Sequence, residues 1–247
     1  VLRWRAPRLR MAFERWRAAA RRGSDELAAF HLRERRWLGD YALFRALADA
    51  LGEARPEALR RARHEHADAL AYQEFLQFTF DRQWRALRAY CAARGVGLMG
   101  DLPFFVTHHS ADVWARRELF RLDGAGRPTV VTGCPPDAFS ATGQLWGHPH
   151  YDWPRHVATR FAWWVERFAT NLRRFDALRI DHFLGFHRAW EVRSGARDAR
   201  GGRYRPTPGR ALLAALRRAR LLAPLIAEDL GDVTPAALAL RDAAGLP

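Results

Sequence analysis

The stretch F-D-A-L-R-I-D-H-F, Phe175 to Phe183, ends on Arg179, Asp181 and His182, three charged or titratable side chains close together. A strand leaving a core ordinarily gives way to turn residues, so this placement asks for a chemical reason. On a strand, residues two apart share a face, which sets the Arg179 guanidinium beside the Asp181 carboxylate. A cation there favours the ionised carboxylate, the state a nucleophile needs. A second acid, Glu228, follows the apolar L-I-A of A-P-L-I-A-E-D (Ala223 to Asp229). Partial desolvation raises a carboxyl pKa and suits a general acid. One carboxylate kept charged and one kept protonated is the division of labour in glycoside chemistry, where a separation of about 5–5.5 Å implies a retaining mechanism. An Arg–Asp pair at a strand end also reads as a structural ion pair, and spacing leaves both readings open.

These side chains need elements to position them. Three short apolar runs each end in carboxylates: V-G-L-M-G-D (Val96 to Asp101), Phe175 to Asp181, and Ala223 to Asp229. Helical patterns over about 157–174 and after Pro208 separate the latter two, and strands alternating with helices argue for parallel βα units. Barrel enzymes carry catalytic groups at the C-terminal ends of such strands. Upstream, 24–50 reads as one helix with Leu27, Phe30, Trp37, Tyr41 and Phe44 on a face and Ser24 as N-cap. A second runs from about Pro56 to Ala93. Its stripe of Tyr72, Leu76, Phe80, Trp84, Leu87 and Cys91 reads as core, and Gly95 stands where a C-cap belongs. Between the first two strands, 107–153 lacks periodicity but holds Phe139, Trp146, Tyr151 and Trp153, so it reads as an ordered lid or binding loop. The stretch from Arg193 to Gly209 reads as a flexible surface excursion.

Composition narrows the classes further. At 247 residues and 49% hydrophobic the chain can bury a core, and it has no apolar run long enough to span a bilayer. Val1 is not a start methionine and Pro247 falls at no obvious stop, so both ends are expected to be cut. Two cysteines, Cys91 and Cys134, are too few for a disulfide framework and point to a reducing cytoplasm. The net charge of +14 invites a nucleic-acid reading, but all 41 basic residues are arginine and they are spread along helical segments. A solvated basic surface is the reading adopted, without nucleic-acid or membrane partners.

The segments G-D-L-P-F-F-V, S-A-D-V-W-A, G-C-P-P-D-A-F-S-A-T-G-Q-L-W-G-H-P-H-Y-D-W, L-R-I-D-H-F-L-G-F and I-A-E-D-L-G-D-V-T-P resemble, in order over roughly 96–247, the 4-α-glucanotransferases (amylomaltases) of the α-amylase clan, glycoside hydrolase family 77. D-Y-A-L-F-R-A-L is similar to the helical N-terminal part of that family. The resemblance implies an α/β fold, a (β/α)8 TIM barrel, of which this chain is a fragment covering the middle strands. It implies a helical region over 1–95 and a partial barrel over 96–247 with an inserted substrate loop at about 107–153. It implies transfer of α-1,4-glucan segments between malto-oligosaccharides or starch- and glycogen-derived glucans, with no cofactor. By this resemblance Asp181 is the nucleophile and Glu228 the general acid/base. Arg179 orients the nucleophile, and His182 and Asp101 hydrogen-bond the sugar. Gln144, Trp146 and Phe139 belong to the loop over the glucan, with Trp146 offering a flat surface to a sugar ring or, alternatively, packing in the core.

Several positions depart from the family. Ala138 replaces a common tyrosine, so an aromatic contact to the acceptor is expected to be missing. His148 and His150 replace Asn and an aliphatic residue. With Asp152 they have the look of a metal site, but the implied chemistry uses no metal. The segment between Asp49 and Glu65 is short and lacks the family's tryptophans. The clan's third carboxylate is expected beyond Pro247 and the first part of the barrel before Val1, so this piece alone is expected to be weakly active or inactive. An α-amylase-like hydrolase, a glucan-binding remnant and a basic nucleic-acid binder are the rival readings.

Overall fold

A computed structural model of the chain describes residues 2–19, 25–51 and 65–247, in two compact units, Val1–Leu87 and Arg88–Pro247. The first unit is helical: α1 (Leu2–Ala18), α2 (Asp25–Glu34), α3 (Leu38–Leu51) and most of α4 (Ala67–Ala92). The expected helix over 24–50 is two helices. Glu34 is buried and its carboxylate accepts from Trp37 Nε1 at 2.6 Å, while the Trp37 amide donates to the Glu34 carbonyl at 3.2 Å. That three-residue turn stops the helix without disturbing the apolar phase, so periodicity alone cannot reveal it. Ser24 and Pro56 lie outside the described residues.

On α4 the buried positions are Gln73, Phe75 and Phe78, and Phe80 and Leu87 of the expected stripe are exposed. The aromatic partners decide the face: Phe13 meets Phe75 at 5.5 Å and Phe30 meets Phe78 at 5.6 Å, whereas Phe80 and Trp84 stack on each other. The helix ends as its glycine requires. Gly95 has φ +70°, its amide donates to the Ala92 carbonyl, and the Val96 amide donates to the Cys91 carbonyl, a Schellman closure.

Val96 is thereby engaged in capping, so the first strand starts later than its apolar run. β1 is Met99–Pro103, and Asp101 lies in mid-strand. The second unit continues with α5 (Ala111–Ala115), β2 (Val130–Cys134), β3 (Gln144–Pro149), α6 (Trp153–Ala158), α7 (Ala162–Leu172), β4 (Ala177–Asp181), β5 (Arg188–Arg193), β6 (Arg203–Pro206), α8 (Gly209–Arg218), β7 (Leu225–Ala227) and α9 (Pro235–Ala244). β1, β4 and β7 form a parallel sheet with β4 central, and Asp101, Arg179 and Ile226 lie side by side in register. Leu102, Leu178, Ile180, Leu225 and Ala227 are buried on its other face with Trp164 and Phe168 of α7 and Leu212 and Leu216 of α8. Each large side chain buried there stabilises by about 1.5–3 kcal/mol. Gly100 is required by close packing, since a Cβ would fall 2.4 Å from the Phe175 ring.

The remaining strands form an antiparallel sheet ordered β3-β2-β5-β6. Two expected loops are therefore partly strand. The segment 107–153 contributes β2 and β3, and the excursion after Arg193 returns as β6 on β5, with Glu191 opposite Arg203. Their hydrogen-bonding partners are distant in sequence, so local pattern did not mark them. The helix expected over 157–174 is broken between α6 and α7, where Arg160 and Phe161 have positive φ and the Phe161 ring is buried. Among the described residues no helix is long and apolar enough to cross a membrane.

Candidate active site

The parallel sheet brings Asp101, Arg179, Asp181, His182 and Glu228 together. Alternation along β4 buries Leu178 and Ile180 and sends Arg179 and Asp181 to the opposite face. β7 continues its pairing one residue past its end: the Glu228 amide donates to the Ile180 carbonyl at 3.1 Å and the Phe183 amide to the Glu228 carbonyl at 3.1 Å. His182 takes the left-handed conformation, φ 55° and ψ 56°, and its amide donates to Glu228 Oε2 at 2.7 Å. The strand's turn residue thus carries a contact to the acid, where a glycine would carry no side chain to the site.

Arg179 ties the three carboxylates together. Its Nη1 donates to Asp101 Oδ1 at 2.6 Å, and its Nη2 donates to Asp181 Oδ1 at 3.2 Å and to Glu228 Oε1. The bonds to Asp101 and Glu228 raise the guanidinium pKa further, so the cation is permanent. The directions of the carboxylate shifts reverse the sequence expectation. Burial, then the charge of Glu228, push the Asp181 carboxyl above its ordinary value despite Arg179. Burial pushes Glu228 up as well, but the His182 amide and Arg179 outweigh it and leave Glu228 below its ordinary value. Arg179 offsets this burial unequally, because it sits closer to Asp101 and Glu228 than to Asp181, and Glu228 alone has the His182 amide. Asp181 and Glu228 share the Arg179 Nη2 donor, and the charge of Glu228 is felt at Asp181, so their protonation is coupled.

Burial lowers the His182 pKa to about 4, which leaves a neutral ring with one donor and one acceptor. The Trp146 ring meets it edge-on at 5.0 Å, and Phe105 lies 6.0 Å away. Trp146 and Gln144 share a face of β3, and Trp146 Nε1 donates to Gln144 Oε1 at 3.0 Å. Trp146 is half-buried, so it both packs on the core edge and reaches His182. Phe139 stands apart. Asp137 Oδ1 accepts from the Phe139 and Ser140 amides at 2.8 and 2.7 Å, and this turn presents Phe139 98% exposed. Phe105 drew no attention in the sequence because a phenylalanine has no chemistry of its own.

The H-x-H pattern is otherwise employed. His150 is buried with Nε2 3.1 Å from the Trp190 carbonyl oxygen, and Asp152 caps α6 by accepting from the Arg155 amide at 3.2 Å. Among the described residues no group of three or more His, Cys, Asp or Glu side chains is placed to hold a metal ion.

Residues 1–247 match the family model described as 4-alpha-glucanotransferase, glycoside hydrolase family 77. The chain is 42% identical over 257 residues to a 4-alpha-glucanotransferase of Thermus thermophilus, covering 99% of this chain and 51% of that one. It is 43% identical over 256 residues to one of Synechocystis, covering 97% and 50%. Among solved structures it is similar to amylomaltase from Streptococcus agalactiae in complex with acarbose, with TM-score 0.93 and 33% identity over 100% of this chain and 52% of that one. The chain spans about half the length of the curated relatives it matches.

Proposed function

The chain belongs to the 4-alpha-glucanotransferase family, and on that footing we propose that its protein moves α-1,4-glucan segments between malto-oligosaccharides by a retaining double displacement. Its substrates are malto-oligosaccharides and glucans derived from starch or glycogen, and it works in the cytoplasm without a cofactor. In this reading β1, β4 and β7 are middle strands of a (β/α)8 barrel with a substrate loop inserted over about 107–153. The observation that carries the reading is the convergence of Asp101, Asp181 and Glu228 on one arginine at the mouth of adjacent parallel strands.

Asp181 attacks the anomeric carbon while Glu228 protonates the departing glycosidic oxygen. The Glu228 carboxylate then takes the proton of an acceptor hydroxyl as that oxygen displaces Asp181. The first step needs the proton on Glu228, the reverse of the resting preference. As Arg179 Nη2, shared between Glu228 and Asp181, passes wholly to Asp181, the proton that Asp181 favours at rest transfers to Glu228 and leaves Asp181 ionised. Asp101 and the neutral His182 hydrogen-bond the sugar beside the bond, Trp146 supplies an apolar surface, and Gln144 and Phe139 complete the loop's contacts. Transfer outruns hydrolysis if the loop keeps water from the intermediate until an acceptor arrives.

The test is incubation of the whole protein with maltotriose, with chromatography of products beside a reducing-end assay. Glucose plus a ladder of longer oligomers at constant reducing ends, abolished by Asp181→Asn, is expected. Rising reducing ends would make the enzyme a hydrolase. Glucan binding without turnover, unaffected by Asp181→Asn, would make it a binding remnant.

A further inference from the structure

β1 ends at Pro103, the register partner of Asp181, and the backbone beyond it is held by side chains from elsewhere in the fold. Arg167, on α7, donates from Nη2 to the Pro103 carbonyl at 2.7 Å and from Nη1 to the Phe104 carbonyl at 3.2 Å. The Phe104 carbonyl also accepts from Tyr151 Oη at 2.6 Å. A planar guanidinium fork on two successive carbonyls fixes their relative orientation as a single ammonium would not. The Phe104 carbonyl belongs to the peptide plane that leads into Phe105, so two donors on that oxygen set the direction in which Phe105 leaves the chain. Tyr151 is buried, and burial raises its phenol well above the usual range, so the hydroxyl remains a donor at any working pH.

Phe105 passes this constraint on. Its ring stacks on the Tyr151 ring at 6.0 Å with 14° between planes, and its other neighbours include His182 at 6.0 Å and Trp146 at 6.2 Å. His182 in turn gives its amide to Glu228. We infer that Tyr151 and Arg167 are positioning residues which, through the 103–105 backbone and the Phe105 ring, hold His182 in the conformation that carries Glu228. This rests on the catalytic reading above. The two residues act at one remove from the reacting atoms, so their loss should change the rate of the chemical step more than the affinity for glucan.

The variants are Tyr151→Phe, which keeps the ring and removes the hydroxyl, and Arg167→Gln, which removes the fork. Each is assayed in the whole protein with maltotriose, at a temperature where circular dichroism shows it fully folded. The expected result is a fall in kcat on the order of tenfold to a hundredfold, the scale of a small misplacement of catalytic groups. KM should change much less than kcat, since Gln144, Trp146 and Phe139 keep their side chains in both variants. The ring resonances of His182, followed by NMR, should shift in both variants, and Arg167→Lys, which keeps a cationic donor without the planar fork, should recover part of the rate. Unchanged kcat and unchanged His182 resonances in folded variants would overturn the proposal. So would a loss of rate that only tracks the unfolded fraction while the folded population keeps its His182 resonances. Asp181→Asn, run alongside, separates the two levels: an active Asp181→Asn refutes the catalytic reading itself, whereas a dead Asp181→Asn beside an unchanged Tyr151→Phe refutes only the positioning role.

Discussion

Lowering the pH from 7 to 5 should weaken the second unit, whose buried histidines resist protonation, and the share of His156 can be isolated. His156 lies on α6 with none of its surface exposed. Its Nε2 is 3.1 Å from the Leu119 carbonyl oxygen, and Nδ1 is buried without a hydrogen-bond partner. Its ring packs against Tyr151 at 5.3 Å and against Trp153 and Trp163 at 5.5 and 5.8 Å. Burial pushes its pKa down to about 4. The unfolded value is about 6.5, so between these values the unfolded chain binds the proton that the folded chain refuses, and stability falls as pH falls. The contribution is fully present above about pH 6.5. It declines by about 2 kcal/mol at pH 5 and about 3 kcal/mol at pH 4. Carboxylates with lowered values titrate mostly below that window, which leaves pH 5 informative.

Urea unfolding followed by tryptophan fluorescence includes this cluster, because the indoles of Trp153, Trp163 and Trp164 surround the histidine. His156→Gln retains an amide able to donate to Leu119 and cannot titrate. The Leu119 carbonyl also accepts from the Asp152 amide at 2.8 Å, so the variant need not orphan it. The wild-type minus variant difference should grow by about 2 kcal/mol in favour of the variant between pH 7 and pH 5. An equal pH slope in the two proteins would refute the argument that this ring stays neutral because it is buried.

Three further outcomes follow from the site and its supports. Glu228→Gln should lower kcat by about 10²–10⁴-fold, the range of general acid–base assistance, with much of the first step restored by a maltosyl fluoride donor that needs no acid; equal losses on both donors would count against the assigned role. Phe139→Ala should leave the free energy of urea unfolding within about 0.5 kcal/mol, as expected for so exposed a side chain. It should raise KM for glucan roughly fivefold, corresponding to about 1 kcal/mol of apolar contact; an unchanged KM would remove Phe139 from the site. Gly209→Ala places a Cβ 1.8 Å from the Phe186 carbonyl oxygen, where α8 begins under the turn that follows His182. It should cost about 1–3 kcal/mol in thermal unfolding, and an unaltered Tm would show that the α8 start can shift freely.

The elements that hold the carboxylates were legible because their signals are local. Alternation across Leu178 and Ile180 marks β4, and a carboxylate after a short apolar run marks its mouth; the order of motifs carried the family. The stripe expected as core on α4 is only partly buried, because Phe75 and Phe78 are chosen by Phe13 and Phe30, residues far away in sequence. β2, β3, β5 and β6 were partly concealed for the same reason, since an antiparallel ladder draws its partners from segments whose own patterns are weak.

Residue types and their spacing along the chain settled that Arg179 and Asp181 share a face at the end of β4, since side-chain direction on a strand follows from period two alone, whereas Asp101 falls in mid-strand. Charge state did not follow from spacing. The pattern Arg179-x-Asp181 argued for an ionised Asp181, but folding buries that carboxyl beside the charge of Glu228, while the His182 amide and Arg179 hold Glu228 ionised, which reverses the preference of the pair. A pKa depends on every charge and dipole within a few ångströms, most of them brought there by residues 40 to 80 positions away, as Glu228 and Asp101 are from Arg179. The same holds for Tyr151 and Arg167, ordinary residues in the sequence, whose reach to the Pro103 and Phe104 carbonyls exists only once α7 has packed beside β1.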